Sequence, residues 1–289
     1  MRLPRFNPGN ISVRSGGGGG GGLPGGKLGC GTIVIVLIGA LVFGIDPAQM
    51  LGTVEQMQGP SQTQQQQAPG GASPTEICEQ NAYSLEACNA LSSLNDTWTP
   101  LFQQANMRFQ QPTLNFYQGG TNSGCGSASS AMGPFYCPAD NGIYIDTSFY
   151  DMMEKQMGAG GDFARYYVMA HEYGHHVQNM TGMAKQIRSA QQQNPREANA
   201  LQVLMELQAD CYAGVWAGTH RQSIEPGDLE EGMRAASAIG DDTLQKQAGQ
   251  SVNPESFTHG TSAQRVEWLR RGIETGNDEA CDTFADLRR

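Results

Sequence analysis

The chain has 289 residues, a formal net charge of -10 and 16% charged residues, which suits one or two globular domains once any tails are set aside. A sequence pI near 4.9 argues against nucleic acid as a partner, because neutralising phosphates takes a surplus of Lys and Arg; it also gives no general attraction to anionic lipid. Neither a G-X-Y period nor a sustained heptad pattern occurs, so collagen-like and coiled-coil classes fall away.

Residues 1–27 read as a basic, glycine-rich leader. Arg2, Arg5, Arg14 and Lys27 precede the first acid, Asp46, and residues 16–22 are all Gly, a run that holds no packed structure. Residues 28–45 (LGCGTIVIVLIGALVFGI) carry no charge over 18 positions; as a helix they would span roughly 27 Å, close to the hydrocarbon core of a bilayer. A buried core helix would show a polar face, which this run lacks. A cleaved signal peptide would end in a small-residue site, which Gly44-Ile45-Asp46-Pro47 does not offer. The reading is one uncleaved transmembrane helix. Positive charge before it predicts a cytoplasmic N-terminus, with the rest of the chain on the far side. Cys30 precedes the apolar run, the wrong order for a lipoprotein site. Residues 46–75, with SQTQQQQAPGGASP at 61–74, read as a flexible Gln/Pro/Gly-rich tether that buries too little surface to order itself.

Residues 76–289 carry the patterned sequence. Positions 84–109 read as a helix with Leu85, Leu91, Leu94, Trp98, Leu101 and Phe102 apolar. Positions 136–146 (YCPADNGIYID) read as extended, with a turn at 138–142 and then Ile143-Tyr144-Ile145, which can offer an edge to an extended peptide. Helices are predicted over 162–180, over about 196–218, and from an N-cap at Thr261-Ser262 to Gly272. The fold class is α+β, helix-rich with a small sheet. Cys78, Cys88, Cys125, Cys137, Cys211 and Cys281 form an even set in a segment expected to face an oxidising compartment, hence three disulfides. Six cysteines allow 15 connectivities; Cys78–Cys88, Cys125–Cys137 and Cys211–Cys281 are the simplest.

The chemistry centres on HEYGHH at 171–176. His171 and His175 stand four apart, so both imidazoles leave one face of the predicted helix. With Glu172 this is H-E-x-x-H, two zinc-binding histidines and a glutamate base for a metal-activated water. His176 is rotated off that face and reads as structural. A catalytic zinc needs a third protein ligand; Glu206, Asp210, His220 and His259 are the downstream candidates. Glu206 and Asp210 lie four apart in MELQAD among apolar neighbours, where two carboxylates are costly unless satisfied. Glu206 is therefore assigned as the ligand, and Asp210 as the acceptor that orients His171. In FTHGTSAQRVEWLRRG (257–272), His259 precedes a helix and can donate to an oxyanion, and Arg265 can pair with Asp210 or bind substrate.

The leader, the single apolar run, YCPADNGIYID, HEYGHHVQ, ELQADCYAGVW and FTHGTSAQRVEWLRRG together resemble the bacterial putative neutral zinc metallopeptidase family over nearly the whole chain. The resemblance implies a zincin-like fold, one catalytic Zn2+ held by His171 and His175, and Glu172 as base. The Glu206–Asp210 block is similar to the E-x-x-x-D segment of membrane-associated gluzincin peptidases, in which a loop histidine and a following arginine assist catalysis; His259 and Arg265 match these in order. The expectation is a metallopeptidase anchored in the bacterial inner membrane, its domain of residues 76–289 outside the cytoplasm, acting on peptides or proteins. The rival is a zinc-stabilised envelope binding or assembly factor with little turnover. Sequence does not give the oligomeric state.

Overall fold

The computed structural model describes residues 1–16 and 72–288. The predicted transmembrane helix at 28–45 and nearly all of the tether lie outside them. Among the described residues no helix is long and apolar enough to cross a membrane.

The elements in chain order are β1 (Ser12–Ser15), α1 (Pro74–Cys78), α2 (Ala82–Gln104), β2 (Thr113–Tyr117), β3 (Gly120–Ser123), β4 (Gly126–Ser129), β5 (Phe135–Cys137), β6 (Gly142–Asp146), α3 (Ser148–Met157), α4 (Asp162–Met180), α5 (Met183–Gln193), α6 (Ala198–Thr219), α7 (Asp228–Ala238), α8 (Asp241–Gln247) and α9 (Ser262–Thr275). This is a helix-rich α+β protein with two small sheets. β1, β2, β6 and β5 form one in that order, parallel except for β5, and β3 pairs with β4 in a hairpin.

Local chemistry sets the helix bounds. Asn81 caps α2 by accepting from the Ser84 amide, as a short polar side chain does at an N-cap. α2 ends at Gln104, short of the predicted 109, because Asn106 turns at φ 54° and Met107 N–H returns to the Phe102 carbonyl. α4 has the predicted bounds, set between Gly161 (φ 114°) and Gly182 (φ 81°). Thr261 caps α9 in a reciprocal capping box with Gln264.

Two sequence readings change here. Ile143–Ile145 does not form an edge, because β6 is enclosed between β2 and β5; the edges of the sheet are β1 and β5. Residues 1–16, read as part of a separate leader, belong to the fold. Ser12, Val13, Arg14 and Ser15 pair with Thr113, Leu114, Asn115 and Phe116, and Met1, Phe6, Ile11 and Val13 are buried. The apolar alternation of Ile11 and Val13 was the only local sign of this strand.

Three disulfides join Cys78 to Cys88, Cys125 to Cys137 and Cys211 to Cys281, the simplest of the connectivities open to the sequence. Helices α4, α6 and α9 meet closely because glycines face backbone. A Cβ on Gly174 would stand 2.9 Å from the Ala209 Cα and carbonyl oxygen, and one on Gly272 only 2.1 Å from the Cys211 carbonyl. These approaches bring HEYGH, ELQAD and Arg265 to one place.

Candidate metal centre

His171 and His175 lie on α4, and Glu206 reaches them from α6. Glu206 Oε2 is 3.2 Å from His171 Nε2 and 3.6 Å from His175 Nε2. Each of the three residues offers one donor atom, all within 4.8 Å of one another, so they can hold a metal ion. Ligand atoms about 2.0–2.2 Å from a tetrahedral zinc stand roughly 3.3 Å apart, so this donor set fits that ion in kind and spacing.

Each donor is held from behind. His171 Nδ1–H donates to Asp210 Oδ1 at 2.8 Å, and His175 Nδ1–H donates to Gln178 Oε1 at 2.9 Å, which turns both Nε2 atoms toward Glu206. Glu206 Oε1 accepts from Gln202 at 2.9 Å. Asp210, fully buried, also accepts from Tyr167 Oη at 2.6 Å and from Arg265 through Nε and Nη2 at 2.8 and 2.9 Å. Burial alone would raise the Asp210 carboxyl, but Arg265 and His171 bring it down to about 2. Burial opposes protonation of His171, yet Asp210 and Glu206 lift its imidazole to about 9. Burial likewise works against an ionised Glu206, and the two histidines overcome it, holding the carboxyl well below the usual range.

Glu172 is buried on the wall of the same cavity, a space of about 250 Å³. It has no hydrogen-bond partner among the described residues, and burial raises its carboxyl above the ordinary range, against the pull of His171 and His175. His259 lines the cavity too. Its Nδ1 is 3.1 Å from Asp241 Oδ1, while the Thr258, His259 and Gly260 amides donate to Asp241 Oδ2 at 2.7, 2.6 and 3.1 Å. Phe135, Phe149, Met152, Val168 and Leu244 supply apolar lining.

The structure thus gathers His171, Glu172, His175, Glu206, Asp210, His259 and Arg265 into one site. His220 is excluded: it bonds Ser93 Oγ and the Trp216 carbonyl elsewhere. Sequence reasoning missed Tyr167, Gln178, Gln202 and Asp241. The first three stand four before His171, three after His175 and four before Glu206, so helical spacing offered a signal. Asp241 offered none, since its partner lies 18 positions on, beyond the rest of α8 and a loop.

His176 points away from the metal centre. Fully buried, it donates from Nε2 to the Gln110 carbonyl at 2.7 Å and faces Tyr136 Oη at 3.0 Å through Nδ1. Asn179 donates to the same hydroxyl at 3.0 Å, so α4 is pinned to the edge strand β5. Burial brings the His176 imidazole down to about 4, against the opposing Gln110 contact. The unfolded chain, titrating near 6.5, therefore binds more protons between pH 6.5 and 4. Stability present above pH 6.5 is lost as pH falls through 4, by up to ~3 kcal/mol from this group. Urea midpoints at pH 7 and pH 4.5 should differ less in His176→Gln than in the wild type; equal differences would show that His176 does not contribute.

A second acidic group, Asp162, Asp228 and Glu231, also clusters tightly. It is engaged by the chain itself: the Met1 amino group is 2.8 Å from Asp228 and 3.0 Å from Asp162, and Glu231 accepts from the Phe163 amide.

Fold and site together define a helix-rich α+β protein with a two-histidine, one-glutamate group that could hold a metal ion. The chain belongs to the family described as Putative neutral zinc metallopeptidase, which matches residues 7–284. Among its relatives, "Uncharacterized protein YpfJ" of Escherichia coli K12 is 46% identical over 265 residues, covering 91% of this chain and 88% of that one. "Uncharacterized protein Rv2575" of Mycobacterium tuberculosis H37Rv is 40% identical over 266 residues, covering 86% of each. No solved structure matches the chain.

Proposed function

We propose that this protein is a zincin-like peptidase of gluzincin type, acting on peptides or proteins outside the cytoplasm. The carrying observation is the convergence of His171 Nε2, His175 Nε2 and Glu206 Oε2 on one point, with the Glu172 carboxyl beside them on the cavity wall. His171, His175 and Glu206 would hold one Zn2+, which supplies Lewis acidity toward a carbonyl oxygen and water. Glu172 takes the proton of the attacking water and returns it to the leaving amine. His259, held by Asp241 through Nδ1, lines the cavity and is the donor for the developing oxyanion. Asp210 and Arg265 act through His171, whose ring they hold. The edge strand β5, whose Phe135 and Tyr136 line the cavity, suits an extended substrate that adds main-chain hydrogen bonds to a sheet. Three disulfides favour an oxidising compartment, and the apolar run 28–45 favours attachment to the membrane.

Digestion of a mixed peptide library by the purified full-length chain is the direct test. Cleavage should stop on chelation and return with added zinc. A protein that holds one zinc per chain yet shows no chelator-sensitive cleavage would sink the peptidase and leave a zinc-stabilised binding protein.

A further inference from the structure

We propose that residues 1–16 lie on the same, disulfide-forming side of the membrane as residues 72–288, opposite to the cytoplasmic placement that the leader's charge predicts. The inference is independent of the peptidase reading.

The arm is built into the fold at several points. β1 pairs with β2 over four positions. Upstream, the Phe6 amide donates to Asn89 Oδ1 at 3.0 Å and the Asn7 amide to Ser92 Oγ at 3.2 Å, both on α2. Asn95 then links arm to site: its side-chain nitrogen donates to the Asn10 carbonyl at 2.7 Å, and its oxygen accepts from Tyr173 Oη of the HEYGH helix at 2.8 Å. Met1, Phe6, Ile11 and Val13 bury their side chains in the main core.

Residues 28–45 have the sequence length of one membrane crossing. One crossing would put the arm and residues 72–288 on opposite sides of roughly 30 Å of hydrocarbon, a gap that no ladder of hydrogen bonds bridges. It would also leave the β2 edge, Asn89 and Asn95 without the partners they have. Both flanks of the apolar run therefore share one side. The disulfides choose the side, because thiols in a reducing cytosol stay unpaired. Cys78–Cys88 joins α1 to α2, the helix on which the arm lies.

The arginines that gave the opposite orientation have partners within the fold. Arg2 Nε is 2.7 Å from Glu225, and Arg5 pairs with Glu79. Two of the three arginines in the arm thus answer acids of the domain, so their charge reports on docking and is not a free topological signal.

The test uses the full-length chain with Cys30→Ser, made in cells converted to spheroplasts, with Ser15→Cys or Gln193→Cys as single probes on exposed positions. A membrane-impermeant maleimide should label both before lysis, to the same extent as after it. Labelling of Gln193→Cys before lysis but of Ser15→Cys only afterwards overturns the proposal. Protection of both until lysis overturns the assigned side. Amide exchange on the purified full-length protein guards against a misfolded probe: amides of β1 should exchange about as slowly as those of β2. Exchange of β1 at the rate of an open chain overturns the docking itself.

Discussion

Replacing Glu172 by Gln should lower the rate of peptide cleavage by about 10²–10⁴-fold while the protein keeps its zinc and its thermal stability. The residue is 8% exposed and has no hydrogen-bond partner among the described residues, so the amide, of equal size, breaks no hydrogen bond. Glu172 is also outside the converging set of His171, His175 and Glu206, so loss of its charge should not release the ion. What goes is the proton acceptor. Burial raises this carboxyl above its ordinary range, which strengthens it as a proton acceptor. Removing a charge that the interior disfavours should leave the melting temperature unchanged or slightly higher. The measurements are initial rates on a cleaved peptide, zinc per chain by elemental analysis, and a thermal melt. Wild-type rates in this variant would assign the base elsewhere; loss of zinc would make Glu172 a ligand.

What the sequence makes legible here follows the reach of each interaction. The two histidines and Glu172 share one helix, and so do Glu206 and Asp210, so spacing alone displays them. Arg265 could be matched to Asp210 because a buried carboxylate demands a cation. The Asp241–His259 pair could not be found that way, since a loop brings them together and no period links them. The sheet order was equally hidden. Whether β6 is an edge depends on β2 and β5, and the order is completed by β1, four residues beside a glycine run whose partner strand begins at Thr113. Its charges were legible, but as average composition they pointed to membrane orientation, whereas in the fold two of them meet single acids. Gly174 shows the same limit. Its place inside HEYGH looks like a helix defect, until α6 is seen to pass with the Ala209 backbone 2.9 Å from where a Cβ would stand.

Arg265→Met should destabilise the fold by about 3–5 kcal/mol and weaken zinc binding about 10–100-fold, although no atom of Arg265 belongs to the donor set. Its guanidinium is 1% exposed and grips Asp210 through two nitrogens, with further contacts to Tyr167 Oη and the Ile239 carbonyl. Methionine fills much of the volume, so the cost is electrical: Asp210 stays fully buried with its main counter-charge gone. Burial, which already works against this carboxylate, would then push it toward the protonated form. A neutral Asp210 accepts the Nδ1–H of His171 more weakly than the carboxylate does, and the ring is held less firmly with Nε2 toward Glu206. The pairing makes a second, sharper expectation. Arg265→Met with Asp210→Asn should cost less than Arg265→Met alone, because the amide removes the stranded charge and still accepts from His171 and Tyr167. Urea unfolding of the wild type, the two single variants and the double gives the coupling energy directly. Additive losses would mean that Arg265 stabilises α9 against its neighbours by packing alone, with no electrostatic hold on the metal centre.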